Sequence, residues 1–168
     1  MRVFVACFVD AATADRLAKT LRPLPGMRQV PPENLHLTLH FLGNVARSRN
    51  ADVIALAESL GGKPVRSRVR SVTGFPAASR ARTVVALLDE PPEWQVWHDA
   101  LVASWPTKAA ERQFLPHITL GRSRDGVVVP ETTGLEALSV QLLPPSAYES
   151  RTLPEGACYR RLDGETVG

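Results

Sequence analysis

The chain has 168 residues, of which 44% are hydrophobic and 22% charged, and its formal net charge is +3. This length is typical of one compact domain that buries its own core without disulfides or metals. No apolar run approaches the roughly 20 residues that span a bilayer. The N-terminal stretch MRVFVACFVD ends in Asp10 and lacks a small-residue cleavage site. We therefore expect a cytoplasmic protein without a signal peptide or membrane anchor.

The sequence contains two cysteines, Cys7 and Cys158, which stand near opposite ends of the chain. Neither belongs to a CxxC pair, so a cysteine metal site is not expected. Both are predicted to be small, reduced core residues, as is usual in the cytoplasm.

Hydrophobic periodicity predicts interleaved strands and helices. In chain order the predicted elements are a strand (2–9), a helix capped by Thr13 (13–22), a strand (34–42), a helix (48–60), two strands (65–73 and 82–89), a helix opening at Pro91, a strand (114–121), a loop near Asp125, a helical turn (131–137) and two closing strands (139–143 and 157–162). No Gly/Ser-rich linker divides them. We therefore expect one domain, built from two similar halves.

Two of these strands carry the same pattern, His-apolar-Thr-Leu, at residues 36–39 and 117–120. Because side chains alternate along a strand, His36 and Thr38 share one face, and so do His117 and Thr119. The apolar residues between them point to the other face. Spacing alone leaves two interpretations open: ordinary structural strands, or two motifs that present an imidazole and a hydroxyl to a cleft.

A pair of histidines suits displacement at phosphorus. Imidazole has an ordinary pKa of about 6.5 and so both gives and takes protons near neutrality. One histidine would take a proton from the attacking water, and the other would protonate the departing ribose oxygen. The threonine hydroxyls would donate to the phosphoryl oxygens. Arg122, directly after the second motif, would add positive charge.

The remaining histidines give little sign of a metal site. By strict alternation His40 shares the face of His36 and lines the cleft margin, but the two lie about 13 Å apart along a strand, too far to share an ion. His98 lies on the third predicted helix and is expected at the surface or its boundary. The sequence holds no HExxH or HD pattern and no clustered carboxylates. No metal or other cofactor is expected.

Beyond the motifs, several longer stretches resemble a known family. They are Arg2–Ala6, Val30–Gly43, Gly74–Pro76, Phe114–His117, Tyr148–Arg151 and Gly156–Tyr159. Together they cover essentially the whole chain and are similar to the two-histidine phosphoesterase superfamily. Within it, the most similar branch is that of the RNA 2′,3′-cyclic phosphodiesterases, also called 2′-5′ RNA ligases and LigT/ThpR-like proteins.

The resemblance implies an α+β fold for residues 1–168 as a single domain. The expected fold is bilobal and pseudo-two-fold symmetric, with two antiparallel sheets flanking a central cleft and helices outside. Each sheet contributes one His-x-Thr motif to the cleft. Tyr148–Arg151 and Gly156–Tyr159 are expected to form the last hairpin of the family's fold.

The resemblance also implies roles for the site residues. His36 would be the general acid, His117 the general base, and Thr38, Thr119 and Arg122 would hold the phosphate. The reaction would open an RNA 2′,3′-cyclic phosphate to a 2′-phosphomonoester without a cofactor. A 5′-hydroxyl in place of water would instead form a 2′-5′ bond.

Two departures from the family affect how the terminal nucleotide is held. Gln29 and Val30 stand where an aromatic residue is frequent, and His40 stands where lysine is more usual. His40 and Phe41 are candidate contacts for an RNA base, although strand alternation places Phe41 on the core face with Leu37 and Leu39. The base preference therefore stays open, and so does the choice among three readings: an RNA-end hydrolase, a phosphodiesterase for another cyclic nucleotide or oligoadenylate, and a non-catalytic RNA-end-binding protein. A monomer is expected.

Overall fold

The computed structural model describes residues 1–163. This part of the chain contains three α-helices: α1 (Ala11–Thr20), α2 (Asn50–Glu58) and α3 (Pro92–Ser104). It also contains nine strands: β1 (Arg2–Phe8), β2 (Arg28–Gln29), β3 (His36–Asn44), β4 (Val65–Phe75), β5 (Ala81–Leu88), β6 (His117–Val127), β7 (Ser139–Leu142), β8 (Ser146–Leu153) and β9 (Gly156–Arg161). None of the helices in residues 1–163 is long and apolar enough to cross a membrane.

The strands form an antiparallel sheet in the order β7-β4-β5-β6-β3-β1-β8-β9, with the short β2 added to β6. The sheet has two four-stranded halves, and β6 and β3 meet through a single residue pair, Leu37 opposite Ile118. We call this pair the central bridge. The predicted α+β class with antiparallel strands is confirmed. The two predicted sheets are joined by hydrogen bonds into one continuous sheet. The two-fold symmetry stays a prediction.

The two faces of β1 are both buried, but against different partners. Val3, Val5 and Cys7 point into the main core, while Phe4 and Phe8 on the opposite face belong to a separate aromatic cluster. The main core also receives side chains from the helices, among them Leu17, Trp94 and Leu101. Each fully buried Leu contributes about 1.5–3 kcal/mol relative to exposure. This second cluster, away from the main core, surrounds the first motif.

The first helix begins earlier than the sequence indicates. Asp10, not Thr13, is its N-cap, because the Asp10 carboxylate accepts the backbone N–H of Thr13 at 2.8 Å. Thr13 is instead buried, and its hydroxyl accepts the N–H of Gln141 at 3.2 Å. The helix thereby docks onto β7.

Three other sequence-based expectations are wrong. No helical turn forms at 131–137, because the Glu136 carboxylate takes the N–H groups of Thr133 and Gly134 into a tight turn. The loop expected near Asp125 lies within β6. Cys158 is exposed on the β8–β9 hairpin, whereas Cys7 is buried as predicted. Burial raises the pKa of the Cys7 thiol.

Candidate active site

The central bridge places the two motifs side by side on neighbouring strands. In an antiparallel pair, one step forward on one strand faces one step back on the other. His36 therefore lies across from Thr119, and Thr38 lies across from His117. Directly opposite side chains are about 5 Å apart at Cβ. All four polar residues point away from the core, on the face we call the cleft face.

Both imidazoles are held by the same hydrogen bond. The Nδ1–H of His36 donates to the carbonyl of Asn34 at 2.7 Å, and that of His117 donates to the carbonyl of Leu115 at 2.7 Å. A carbonyl only accepts, so Nδ1 carries a hydrogen in both rings. Proton exchange is thereby left to Nε2. Each motif thus fixes one tautomer through the residue two positions before its histidine.

Aromatic rings surround His36. Phe8 stacks on its imidazole at 4.9 Å between ring centroids and an interplanar angle of 16°. Phe4 lies 5.2 Å away, and Tyr159 meets the imidazole edge-on at 5.0 Å. These rings exclude water from one side of the first motif and restrict the rotation of the imidazole.

The surroundings of His36 favour its neutral form. Burial lowers its pKa from 6.5 to about 4. The hydrogen bond to the Asn34 carbonyl opposes this change, whereas the positive charges of His117 and Arg122 add to it. At neutral pH the unliganded protein therefore holds His36 uncharged.

The ring of Phe75 is the aromatic neighbour of His117. It meets the imidazole edge-on at 5.9 Å and is itself 39% exposed. Phe75 comes from the end of β4, two strands away from β6. An aromatic surface is thus open to solvent beside the second motif, whereas Phe4 and Phe8 beside the first motif are buried and Tyr159 is partly buried.

Leu39 forms a β-bulge directly after the first motif. Adjacent residues of β1 pair with Thr38 and His40, and Leu39 is left out of the ladder. The extra residue reverses the alternation of side chains beyond it. His40 turns inward, is 3% exposed and donates from Nε2 to the carbonyl of Trp105 at 2.8 Å. Phe41 turns to the cleft face and is 52% exposed.

These two positions correct the sequence analysis. His40 does not line the cleft margin, because the bulge directs it into the core. Phe41 is not a core residue. Its ring lies 6.1 Å from that of Phe4, which in turn contacts His36, so Phe41 extends the aromatic wall of the site toward solvent.

Leu120 forms the matching bulge after the second motif. Adjacent residues of β5 pair with Thr119 and Gly121, and Leu120 is left out. Strict alternation would turn Arg122 away from the cleft, but the bulge returns it to the face of Thr119. Its Nη1 donates to the hydroxyl of Thr83 at 3.4 Å. Arg122 is exposed.

The structure therefore brings together on one face the predicted set of His36, Thr38, His117, Thr119 and Arg122. Sequence reasoning gave no role to the rings of Phe4 and Phe8, although their alternation with buried valines places them on one face of β1. Among residues 1–163, no three His, Cys, Asp or Glu side chains converge as a metal-binding group. Two imidazoles, two hydroxyls and a guanidinium suit a tetrahedral anion.

Comparisons with known proteins show which family the chain is similar to. The sequence profile described as LigT like Phosphoesterase matches residues 9–85. A Thermus thermophilus protein named RNA 2′,3′-cyclic phosphodiesterase is 32% identical over 157 residues, which cover 81% of this chain and 76% of the relative. A Methanothermobacter thermautotrophicus protein of the same name is 26% identical over 178 residues, 97% of each chain.

The fold has close counterparts among solved structures. A crystal structure of a Thermus thermophilus protein superposes with a TM-score of 0.82 at 29% identity, covering 96% of this chain and 95% of that one. Apo E. coli LigT shares the fold, with a TM-score of 0.75 at 23% identity, and covers 95% of this chain and 93% of its own. The chain belongs to the LigT-like phosphoesterase family, and the protein is a phosphoesterase.

Proposed function

We propose that the protein hydrolyses the 2′,3′-cyclic phosphate at the end of an RNA to a 2′-phosphomonoester, without a metal ion. The relatives named RNA 2′,3′-cyclic phosphodiesterase support this choice of substrate. The observation that carries the proposal is the matched pair of imidazoles, each with Nδ1 bound to a carbonyl, on facing strands. Hydrolysis of a phosphodiester needs one acid and one base, and Nε2 of each ring is free for one of these tasks.

In the proposed reaction, water attacks phosphorus opposite the 3′ oxygen. The general base takes the proton of this water as the new phosphorus–oxygen bond forms. The bond from phosphorus to O3′ breaks, and the general acid gives its proton to that oxygen. The product carries a 2′-phosphate and a 3′-hydroxyl. Thr38 and Thr119 donate to the non-bridging oxygens, and Arg122 balances their charge as it grows.

The division of labour follows from the family resemblance, with His36 as acid and His117 as base. The low pKa of His36 sets a condition on this assignment, because an acid must begin protonated. The anionic substrate supplies the missing stabilisation: a negative charge near the imidazole raises its pKa. We therefore propose that His36 takes up its proton together with the cyclic phosphate.

A sulfur-substituted substrate tests this assignment. A thiolate leaves without protonation, so replacing the 3′ bridging oxygen by sulfur removes the need for an acid. We expect the loss of activity in His36→Ala to shrink on this substrate, while the loss in His117→Ala persists. Rescue of His117→Ala instead would reverse the two roles and leave the paired mechanism in place.

The decisive experiment is incubation with an oligoribonucleotide that ends in a 2′,3′-cyclic phosphate, with and without EDTA. We expect a 2′-phosphate product at the same rate in both samples. Loss of activity in EDTA would contradict the metal-free mechanism. Binding without turnover would indicate an RNA-end-binding protein, and turnover of only small cyclic nucleotides or oligoadenylates would indicate a different substrate.

Ligation is the same displacement run with a different nucleophile. A 5′-hydroxyl that occupies the position of water would yield a 2′-5′ linkage, and the same acid and base would serve. We expect this product only at high RNA concentration, because water, as the solvent, competes in large excess. Formation of a 2′-5′ bond that resists nuclease specific for 3′-5′ linkages is the measurement. The monomeric state and cytoplasmic location stay predictions.

A further inference from the structure

We propose that His98 is a positioning residue for the first motif: it holds the Leu39 bulge and thereby places Thr38 and Phe41 on the cleft face. The inference rests on the proposed function, because it concerns the same site. His98 lies on α3, outside the sheet, and is partly buried. The hydrogen bonds and ring contacts of His98 in residues 1–163 reach Leu39, His40 and Phe114 and no cleft-face residue, so it influences the reaction through these neighbours.

The contact that carries the inference is short and directed. The Nδ1–H of His98 donates to the carbonyl of Leu39 at 2.7 Å. The imidazole also stacks on the ring of Phe114, with 4.3 Å between centroids and an interplanar angle of 6°. Phe114 immediately precedes Leu115, whose carbonyl orients His117. One side chain on α3 thus contacts the bulge of the first motif and the segment leading into the second.

The Leu120 bulge of the second motif has an equivalent hydrogen bond. There the carbonyl of Leu120 accepts the backbone N–H of Val30 at 2.9 Å. The bulged leucine in each motif is therefore bound by a donor from outside the two motif strands. In the second motif this donor is backbone and comes from the chain beside β2. In the first motif it is the side chain of His98.

A bulge of this kind depends on its outside donor. A bulged residue leaves the regular ladder, and a buried carbonyl that loses its hydrogen bond is costly. Without the donor, Leu39 gains by returning to the ladder with β1 or by turning its carbonyl elsewhere. Either movement shifts Thr38, the residue before it, and a return to the ladder also reverses the side of the sheet on which Phe41 lies. His98 therefore acts on the site through backbone geometry.

His40 completes the group on the core side of the bulge. Its ring meets that of His98 edge-on at 6.0 Å, and its Nε2–H is bound to the carbonyl of Trp105. The Trp105 ring is in turn covered by the guanidinium of Arg49 at 4.1 Å. The two imidazoles fill the space between β3 and α3 and each donates to a backbone carbonyl. His98 is the one of the two that binds the bulge itself.

Two substitutions separate the hydrogen bond from the ring stack. His98→Phe retains a flat ring against Phe114 but has no donor, whereas His98→Asn keeps an N–H near the position of Nδ1 and loses the ring. We expect kcat on the cyclic phosphate to fall about 10–100-fold in His98→Phe, the size that a shift of about 1 Å produces. His98→Asn is expected to retain most of the activity.

Leu101→Ala is the matched control. Leu101 lies on the same helix and is buried in the main core, and its apolar side chain donates no hydrogen bond to the bulge. It is expected to lower Tm at least as much as His98→Phe, yet leave kcat of the folded protein near the wild-type value. Equal kcat values in His98→Phe and Leu101→Ala would overturn the inference.

A double-mutant cycle tests the route of the effect. If His98 acts through Thr38, adding His98→Phe to Thr38→Ala should lower kcat little further. Adding His98→Phe to Thr119→Ala should lower kcat by the same factor as in the wild type. Equal factors in both backgrounds would contradict this route. A readout independent of activity is the NMR signal of the Thr38 amide, which should move in His98→Phe and stay in Leu101→Ala. An inactive wild type would refute the proposed function, and the Thr38 amide would still decide the inference.

Discussion

The two motif strands repeat one backbone design. In each, Nδ1 of the histidine is tied to the carbonyl two residues earlier, and a bulge follows the threonine. The surroundings differ. His36 stands among buried rings that lower its pKa to about 4, whereas His117 stands beside the partly exposed Phe75. A repeated motif thus fixes the position of two imidazoles, and the neighbouring strands decide how far His36 is desolvated.

The residues that follow the two bulges differ as well. Phe41 and Arg122 occupy equivalent positions, each five residues after its motif histidine, and each bulge turns its residue to the cleft face. One half of the site thereby offers an aromatic surface and the other half a positive charge. These are the two chemistries by which proteins hold a nucleotide base and its phosphate.

The largest expected effect is the loss of either histidine. His36→Ala and His117→Ala should each lower kcat by about 10²–10⁴-fold, because each removes one proton transfer. The measurement is steady-state hydrolysis of an RNA 2′,3′-cyclic phosphate. Cys158→Ser, an exposed change on β9, is the control and should retain wild-type activity. Full activity in either histidine variant would refute the paired mechanism.

The next effect in size concerns Arg122. Arg122→Gln should lower kcat by about 10–100-fold, less than loss of a deeply buried oxyanion donor, because the guanidinium is exposed and partly screened. Arg122→Lys keeps the positive charge but lacks the planar fork of the guanidinium, so its kcat should lie between those of the wild type and Arg122→Gln. If Arg122→Gln is as active as the wild type, the bulge at Leu120 matters only for the backbone fold and not for placing a charge on the cleft face.

The equivalent change in the other half should act on a different constant. Phe41→Ala is expected to raise KM for the RNA substrate about 5- to 10-fold and to leave kcat nearly unchanged, because stacking on a base contributes about 1 kcal/mol or more. Phe41→Tyr retains the ring and is the control. A fall in kcat with an unchanged KM would place Phe41 in the chemistry and break the contrast between the two halves.

The last prediction concerns the pH dependence of folding and not the rate of the reaction. The pKa of His36 is about 4 when folded and about 6.5 when unfolded, so the unfolded chain takes up the proton first. Stability that is present above about pH 6.5 is therefore lost as the pH falls toward 4. In His36→Gln, Tm should fall less between pH 6.5 and 4. The same pH dependence in both proteins would show that His36 is not desolvated in solution.

Much of the fold could be predicted because its elements are locally consistent. β1 alternates without interruption, and its odd residues reach the core as its pattern indicates. The repeated His-x-Thr pattern identified the two strands that meet at the cleft, since Leu37 and Ile118 leave each imidazole only the opposite face. The helical turn expected at 131–137 is lost to a local side-chain contact, because the Glu136 carboxylate accepts the N–H groups of Thr133 and Gly134, three and two residues before it.

The two bulges could not be predicted from the alternation of side chains in the sequence. Strict alternation places His40 at the cleft and both Phe41 and Arg122 away from it, and the structure reverses all three. Nothing local in either strand distinguishes a regular ladder from a bulged one, because the extra residue is stabilised by donors distant in sequence. For Leu39 that donor is His98, 59 residues away.

The sequence by itself determined which residues are candidates for the chemistry: two histidines, two threonines and an arginine, in strands whose apolar residues face the core. The tertiary structure decided the rest. It placed the motifs side by side through one bridge, surrounded His36 with rings that disfavour its charge, and turned Arg122 and Phe41 to the cleft face. Strand parity is a local property, whereas register and desolvation depend on partners that only the folded chain brings together.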